Sequence, residues 1–275
     1  MAIGINTPYG VLNALRVASA DGARASERIS SGLRINRSSD DPAGLSLATS
    51  LAKDIGGYTA VKSSLTSAIT KVEQVGDSLT SIASILSSMQ TLAYEAISAT
   101  STAEFTAYQE AFDAYIDDID TIASATTING SSVLDGTTAT PTISVLVSTD
   151  TSDTKTLTFF DSSSSGLSVS SLSISTAASA ATTYAALDTP IDTTTSRIAA
   201  VAAYEEGLGY LSDVADAMIL NTTEGYDSIM SADLAQETAN LAAAEIRQSA
   251  STAMVAQSNS LSKEMVDLLL QSVTD

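Results

Sequence analysis

Apolar and small residues recur every three or four positions through most of this chain, and one stretch near the middle breaks the period. Over 11–33 the positions Val11, Leu15, Ala18, Gly22, Ala25, Ile29 and Leu33 form a narrow stripe, which predicts a helix. Ser31-Gly32 and Asn36 weaken the pattern, and Asp40-Asp41-Pro42 supplies a cap and a proline suited to a new helix start. From Leu51 the stripe runs on through Ile55, Tyr58, Val61, Leu65, Ala68, Val72, Val75, Leu79, Ile82, Leu86, Met89, Leu92 and Ala96. About six heptads of unbroken pattern exceed an ordinary globular helix and predict a coiled coil or long bundle. Thr100-Ser101-Thr102 closes it. Phe105, Tyr108, Phe112, Tyr115, Ile119 and Ile122 then define a second helix, folded back on the first as an antiparallel hairpin.

The period changes after residue 126. Thr127-Ile128-Asn129-Gly130-Ser131 places Asn-Gly between short apolar pieces, a hairpin signal. From Thr137 to Ser196 half of the residues are Ser or Thr. Within that stretch Ile143-Ser144-Val145, Leu157-Thr158-Phe159 and Leu167-Ser168-Val169 alternate like strands. The last continues as Leu172-Ser173-Ile174 with its phase slipped by one, as at a bulge. Two descriptions fit, a small β-rich insert and a disordered Ser/Thr-rich linker. Helical spacing returns with Ile198, Val201, Tyr204, Leu208, Leu211, Ala215 and Met218, falters at Glu224-Gly225-Tyr226, and resumes as Leu234, Leu241, Ile246, Ala250, Met254, Leu261, Met265 and Leu268, with Leu269 beside it.

The expected fold is mainly α: a long antiparallel helical bundle or coiled coil formed by both chain ends, with a small β-rich inserted domain. Residues 41–136 with 190–229 would make the bundle and its β-hairpin, 137–189 the insert, and 1–40 with 230–275 a terminal helical pair. Both terminal segments are rich in Ser, Thr, Asn and Gly, weak helix formers. A pair built on Ala and Gly contacts buries little area, and such helices are marginal without further packing. They are therefore expected to order against copies of the same protein. The subunit-interface candidates are Val11, Leu15, Ile29, Leu33, Arg34, Ile35, Leu241, Ile246, Met254, Leu261, Met265, Leu268 and Leu269.

Composition removes most alternatives. The chain has no Cys and no His, which excludes disulfides, thiol nucleophiles and Cys/His metal sites and removes the commonest general base. No catalytic, cofactor or metal residues are expected. Asp113, Asp117, Asp118 and Asp120 mostly fall off their helical stripe and are expected to face water. The formal charge is −20, divided between a weakly basic 1–71, with eight basic and five acidic residues, and a strongly acidic remainder. An acidic body repels a phosphate backbone, so nucleic acid is not an expected partner. No apolar run approaches a membrane span. The opening Met1-Ala2-Ile3-Gly4-Ile5-Asn6 lacks the charged and apolar regions of a secretory signal.

Four motifs carry a family resemblance. Ser30-Ser31-Gly32-Leu33-Arg34-Ile35-Asn36 with Asp40-Asp41-Pro42-Ala43-Gly44-Leu45 resembles the N-terminal signature of bacterial flagellins. Thr127-Ile128-Asn129-Gly130 through Leu134-Asp135-Gly136 is similar to a second family motif. Glu237-Thr238-Ala239-Asn240-Leu241 and Ala250-Ser251-Thr252-Ala253-Met254-Val255-Ala256-Gln257-Ser258-Asn259 resemble two C-terminal ones. The resemblance spans 1–136 and about 190–275.

It implies a filament subunit for swimming motility, with the termini in an inner tube of about eleven protofilaments, helices 45–98, 104–126 and 191–224 in an outer tube, and the insert at the surface. It implies export through the flagellar type III apparatus without a cleaved signal, to an extracellular filament. The implied partners are further copies of the chain, the flagellin export chaperone, and the filament cap and hook-associated proteins. One departure concerns the patch recognised by Toll-like receptor 5: Ser88 and Gln90 stand where the family pattern has arginines. A second falls at Asp227-Ser228-Ile229-Met230-Ser231-Ala232-Asp233, where the family's arginine is missing. The other roles in view are a hook–filament junction protein of the same superfamily and a secreted adhesin or enzyme with a helical stalk. Arg34 suits a carboxylate of a neighbouring subunit or solvent. The Ser/Thr-rich stretch offers hydroxyls for O-linked sugar, and Asn129 and Asn221 sit in short N-glycosylation patterns.

Overall fold

The computed structural model describes residues 9–137, 141–150 and 152–274. The opening hexapeptide lies outside them. The helices are α1 (Tyr9–Ser31), α2 (Pro42–Ile97), α3 (Thr102–Ala125), α4 (Ala177–Ala186), α5 (Asp188–Met230) and α6 (Leu234–Thr274). The strands are β1 (Thr127–Ile128), β2 (Ser131–Ser132), β3 (Thr142–Leu146) and β4 (Thr154–Thr158). The chain divides into two compact units, Met1–Lys53 with Thr222–Asp275, and Asp54–Asn221.

In unit 54–221 the heptad pattern becomes a core. Val61, Leu65, Ala68, Val72, Val75, Leu79, Ile82, Leu86 and Met89 of α2 are all buried. Their alternating steps of four and three keep them on one seam of the helix. The first half of that seam packs with Ala123 of α3 and with Val201, Leu208 and Ala215 of α5; the second packs with Phe112 and Ile119 of α3. Met218, which continues the α5 stripe, is exposed. Ser101 starts α3 as a capping box: its hydroxyl accepts from Glu104 N–H, and the Glu104 carboxylate accepts from Ser101 N–H. Asn129 and Gly130 both take positive φ, as a two-residue hairpin between β1 and β2 requires.

The Ser/Thr-rich stretch differs from its strand-like pattern. Ile143–Val145 falls within β3, a strand as its alternation suggested, and pairs antiparallel with β4. Leu167–Val169 and Leu172–Ile174 are not strands. Their backbone is held by side chains and tight turns instead: the Asp161 carboxylate accepts from Ser163 N–H at 3.0 Å, and Val169 N–H reaches the Ser164 carbonyl at 2.8 Å. Asp120 of α3, exposed as expected, also accepts from both the N–H and the hydroxyl of Ser164 at 2.7 Å. Most of the apolar residues of this segment still turn inward, Phe160 excepted. Val145, Leu157 and Phe159 join the first core region, and Leu167, Val169 and Ile174 join the second. Residues 177–186 form a helix that the Ser/Thr richness hid, opened by a Thr176–Ser179 capping box and closed at Leu187.

Unit Met1–Lys53 with Thr222–Asp275 has a much smaller core of Ile35, Ala48 and Met230, flanked by Leu33, Leu45, Tyr226 and Ile229. The segment linking α1 to α2 is pinned there. Leu33 and Ser231 form an antiparallel bridge. Arg34 N–H donates to the Met230 carbonyl at 2.6 Å, and Ala232 N–H donates to that of Gly32 at 3.0 Å. Gly32, with φ 71°, ends α1 in the left-handed region.

Candidate functional site

The two terminal helices meet in the unit that holds both chain ends. α1 packs along α6 through small side chains. Ala18 and Ala25 are buried on α1 and Ala244 on α6, and a methyl group on Gly22 would stand 3.5 Å from the Ala244 Cβ. Small residues let the helix axes approach, but each contributes little buried area. Polar contacts frame the seam: Arg28 and Glu237 pair at 3.0 Å, and Asp21 receives Arg24 at 2.6 Å and Arg247 at 3.5 Å.

All of the expected interface residues except Arg34 and Leu269 fall into three groups. Val11, Leu15, Ile29, Leu33 and Leu241 are partly covered by their own chain. Ile35 is buried in the small core, so in this conformation it is not available to a neighbouring molecule. Ile246, Met254, Leu261, Met265 and Leu268 are between 53 and 70% exposed. Steps of 8, 7, 4 and 3 residues keep these five on one face of α6, turned away from the Leu241–Ala244 side that meets α1. Leu269 lies in α6, and its side chain is outside the described residues. Tyr9, Leu12, Val17 and Val266 add exposed apolar area that the stripe pattern did not single out.

Most polar positions of the first family-like motif have a structural role. Arg34, offered above to a neighbour's carboxylate or to solvent, directs Nε to the Ile229 carbonyl at 3.1 Å. Asp41 caps α2 by accepting from Gly44 N–H at 2.8 Å, with Pro42 in the first turn. A side chain at Gly44 would collide with that carboxylate and stand 2.8 Å from the Ile35 Cδ1. Asp40 receives Arg37 N–H at 3.0 Å and Asn36 N–H at 3.2 Å. The Arg37 bond chiefly holds its carboxyl below the usual carboxylate range. Asp233 caps α6 through Ala235 N–H at 2.9 Å.

In unit 54–221, Ser88 is exposed and donates back to the Ser84 carbonyl at 3.0 Å, while Gln90 donates to the Asp188 carboxylate at 2.6 Å. Gln90 thus ties α2 to the start of α5 with a neutral donor. Among the described residues no group of three or more His, Cys, Asp or Glu is placed to hold a metal, and no helix is long and apolar enough to cross a membrane. Periodicity located the faces. It did not reveal the Arg28–Glu237 pair or the backbone bridge at Leu33, which join residues about two hundred positions apart.

Comparison with known proteins agrees with the motifs. The family model for the bacterial flagellin N-terminal helical region matches residues 6–139. Flagellin FljO of Caulobacter vibrioides is 32% identical over 282 residues, covering 96% of this chain and 97% of that one. The flagellin of Bacillus subtilis is 28% identical, covering 96% and 99%. A 37% identity to the flagellin of Clostridium tyrobutyricum extends over 45% of this chain, which spans 34% of that longer relative. The crystal structure of Bacillus cereus flagellin superposes with a TM-score of 0.49 at 25% identity, over 54% of this chain and 86% of that one.

Proposed function

The chain belongs to the bacterial flagellin family, and we propose that it is the structural subunit of an extracellular flagellar filament, assembling with copies of itself. Its task is mechanical and not catalytic. The observation that carries the proposal is the row Ile246, Met254, Leu261, Met265 and Leu268 on α6, an apolar stripe that the described residues of its own chain leave more than half exposed. Burying a side chain of that size contributes on the order of 1.5–3 kcal/mol. A neighbouring copy that covers several of them drives assembly strongly even after ordering costs.

In this assignment α1 and α6 line the inner tube, and α2, α3 and α5 form the outer one. The subunit-facing residues are Val11, Leu15, Ile29, Leu33, Arg34, Leu241 and the α6 stripe. The export chaperone would hold the C-terminal segment before assembly, and cap and hook-associated proteins would meet the filament ends. Export would proceed without a cleaved signal. The neutral Ser88 and Gln90 would weaken recognition by Toll-like receptor 5, since charge-assisted arginine donors are missing from that patch.

Two measurements test the assignment. Purified protein examined by electron microscopy should form long filaments; a protein that stays monomeric at high concentration would sink it. Limited proteolysis of dilute monomer should clip 1–40 and 230–275, and polymerisation should protect them.

A further inference from the structure

Tyr94 on α2 and Tyr184 on α4 have ring centroids 5.8 Å apart at an interplanar angle of 51°. Both rings reach solvent, being 63 and 38% exposed. Both are also held from beneath. Tyr94 follows the fully buried Ala93, and Ala96 is buried two residues on; Tyr184 follows the buried Thr183, whose hydroxyl donates to the Ser173 carbonyl at 2.8 Å. Two phenols are therefore fixed side by side at the surface of unit 54–221. The chain contains neither Cys nor Trp, the two side chains that most readily compete with tyrosine for one-electron oxidants.

We propose that Tyr94 and Tyr184 form an oxidative modification site, coupling to an intrachain dityrosine that joins α2 to α4. Hydrogen peroxide, used by a haem peroxidase, is the oxidant. It removes one hydrogen atom from each phenol O–H and is reduced to two molecules of water. The two phenoxyl radicals join through one ring carbon ortho to each oxygen. The hydrogens on those carbons then move to the oxygens and restore both phenols, so the product differs from the starting chain by two hydrogen atoms. In a chain without disulfides the new bond closes a loop from 94 to 184 and limits the unfolded ensemble, as a disulfide would.

The inference is independent of filament assembly. The experiment treats dilute full-length monomer with horseradish peroxidase and hydrogen peroxide, follows dityrosine fluorescence, and maps tryptic peptides by mass spectrometry. The expected product is monomeric and joins the peptide of residues 72–155 to that of 156–197, in which Tyr184 is the only tyrosine. Tyr94→Phe and Tyr184→Phe keep the ring packing and should each abolish that product, whereas Tyr210→Phe should leave it unchanged. Circular dichroism verifies that each variant is folded. The proposal is overturned if fluorescence does not develop in the wild-type chain, if the linked peptides survive either of the first two substitutions, or if only interchain species form.

Discussion

The two units are both built mainly of helix and use opposite kinds of contact. Every one of the largest fully buried side chains, among them Phe112, Leu65, Ile82, Leu86 and Met89, belongs to unit 54–221. The unit that holds the chain ends joins its helices through Ala18, Gly22, Ala25 and Ala244, and leaves Ile246, Met254, Leu261, Met265 and Leu268 of α6 more than half exposed. Unit 54–221 turns its largest apolar side chains onto one another, although Tyr94, Tyr210, Val214 and Leu220 stay exposed. The unit with the chain ends leaves its stripe open, and in the proposed filament a neighbouring copy would cover it. A long apolar stripe thus has two meanings, and the difference lies in what covers it.

Charges placed on the uncovered stripe probe this contrast most severely. Met254→Glu with Leu261→Glu should leave the fold of unit 54–221 intact, because neither residue belongs to it. An uncompensated buried charge is destabilising by several kcal/mol. The pair should therefore raise the critical concentration for assembly by more than about a hundredfold, read from the fraction of protein that sediments. Normal filament yield would break the comparison.

The converse change acts within unit 54–221. Phe112→Ala opens a cavity at a fully buried position and should cost about 3–5 kcal/mol of stability in denaturant unfolding. Ile246→Ala, at the most exposed position of the α6 stripe, should change monomer stability by less than about 0.5 kcal/mol while still reducing assembly. Equal stability losses from the two substitutions would erase the distinction.

These expectations also mark how far the chain was legible beforehand. The seam from Val61 to Met89 was readable because its spacing is regular enough to fix both helix and face. Asn129-Gly130 was readable because few other residue pairs accept two positive φ values. Leu167–Ile174 misled, since alternation describes a strand only when another backbone supplies its hydrogen bonds, and here Asp161 and Asp120 helped to meet that need. Ile35 and Ile246 show the remaining limit. Both lie on plausible apolar faces, yet one is enclosed by Met230 and Ala48 and the other is open. Spacing names a face; only the fold names its neighbour.

Gly22 tests how closely the terminal helices need to approach. The 3.5 Å separation between its added methyl and the Ala244 Cβ is ordinary contact. Gly22→Ala should fit and stabilise α1 by up to about 1 kcal/mol through helix propensity. Gly22→Leu should wedge α1 from α6, increase proteolysis of both ends and weaken assembly. If the leucine variant matches wild type in both assays, close approach is not what joins these helices.

The smallest effect belongs to the cap of α3, within the self-sufficient unit. Glu104 accepts from Thr100 N–H at 2.9 Å and from Ser101 N–H at 3.0 Å, and these bonds, that of Thr100 foremost, hold its carboxyl below the ordinary value of 4.5. Because the folded pKa is the lower one, the cap contributes fully above 4.5 and is lost as pH falls through the folded value. Melting temperatures of wild type and Glu104→Ala should differ near neutrality and converge in acid. Any change in helix propensity from the alanine is independent of pH and cancels in that trend. A gap that stays constant across the acid range would mean that the carboxylate bonds do not hold the start of α3.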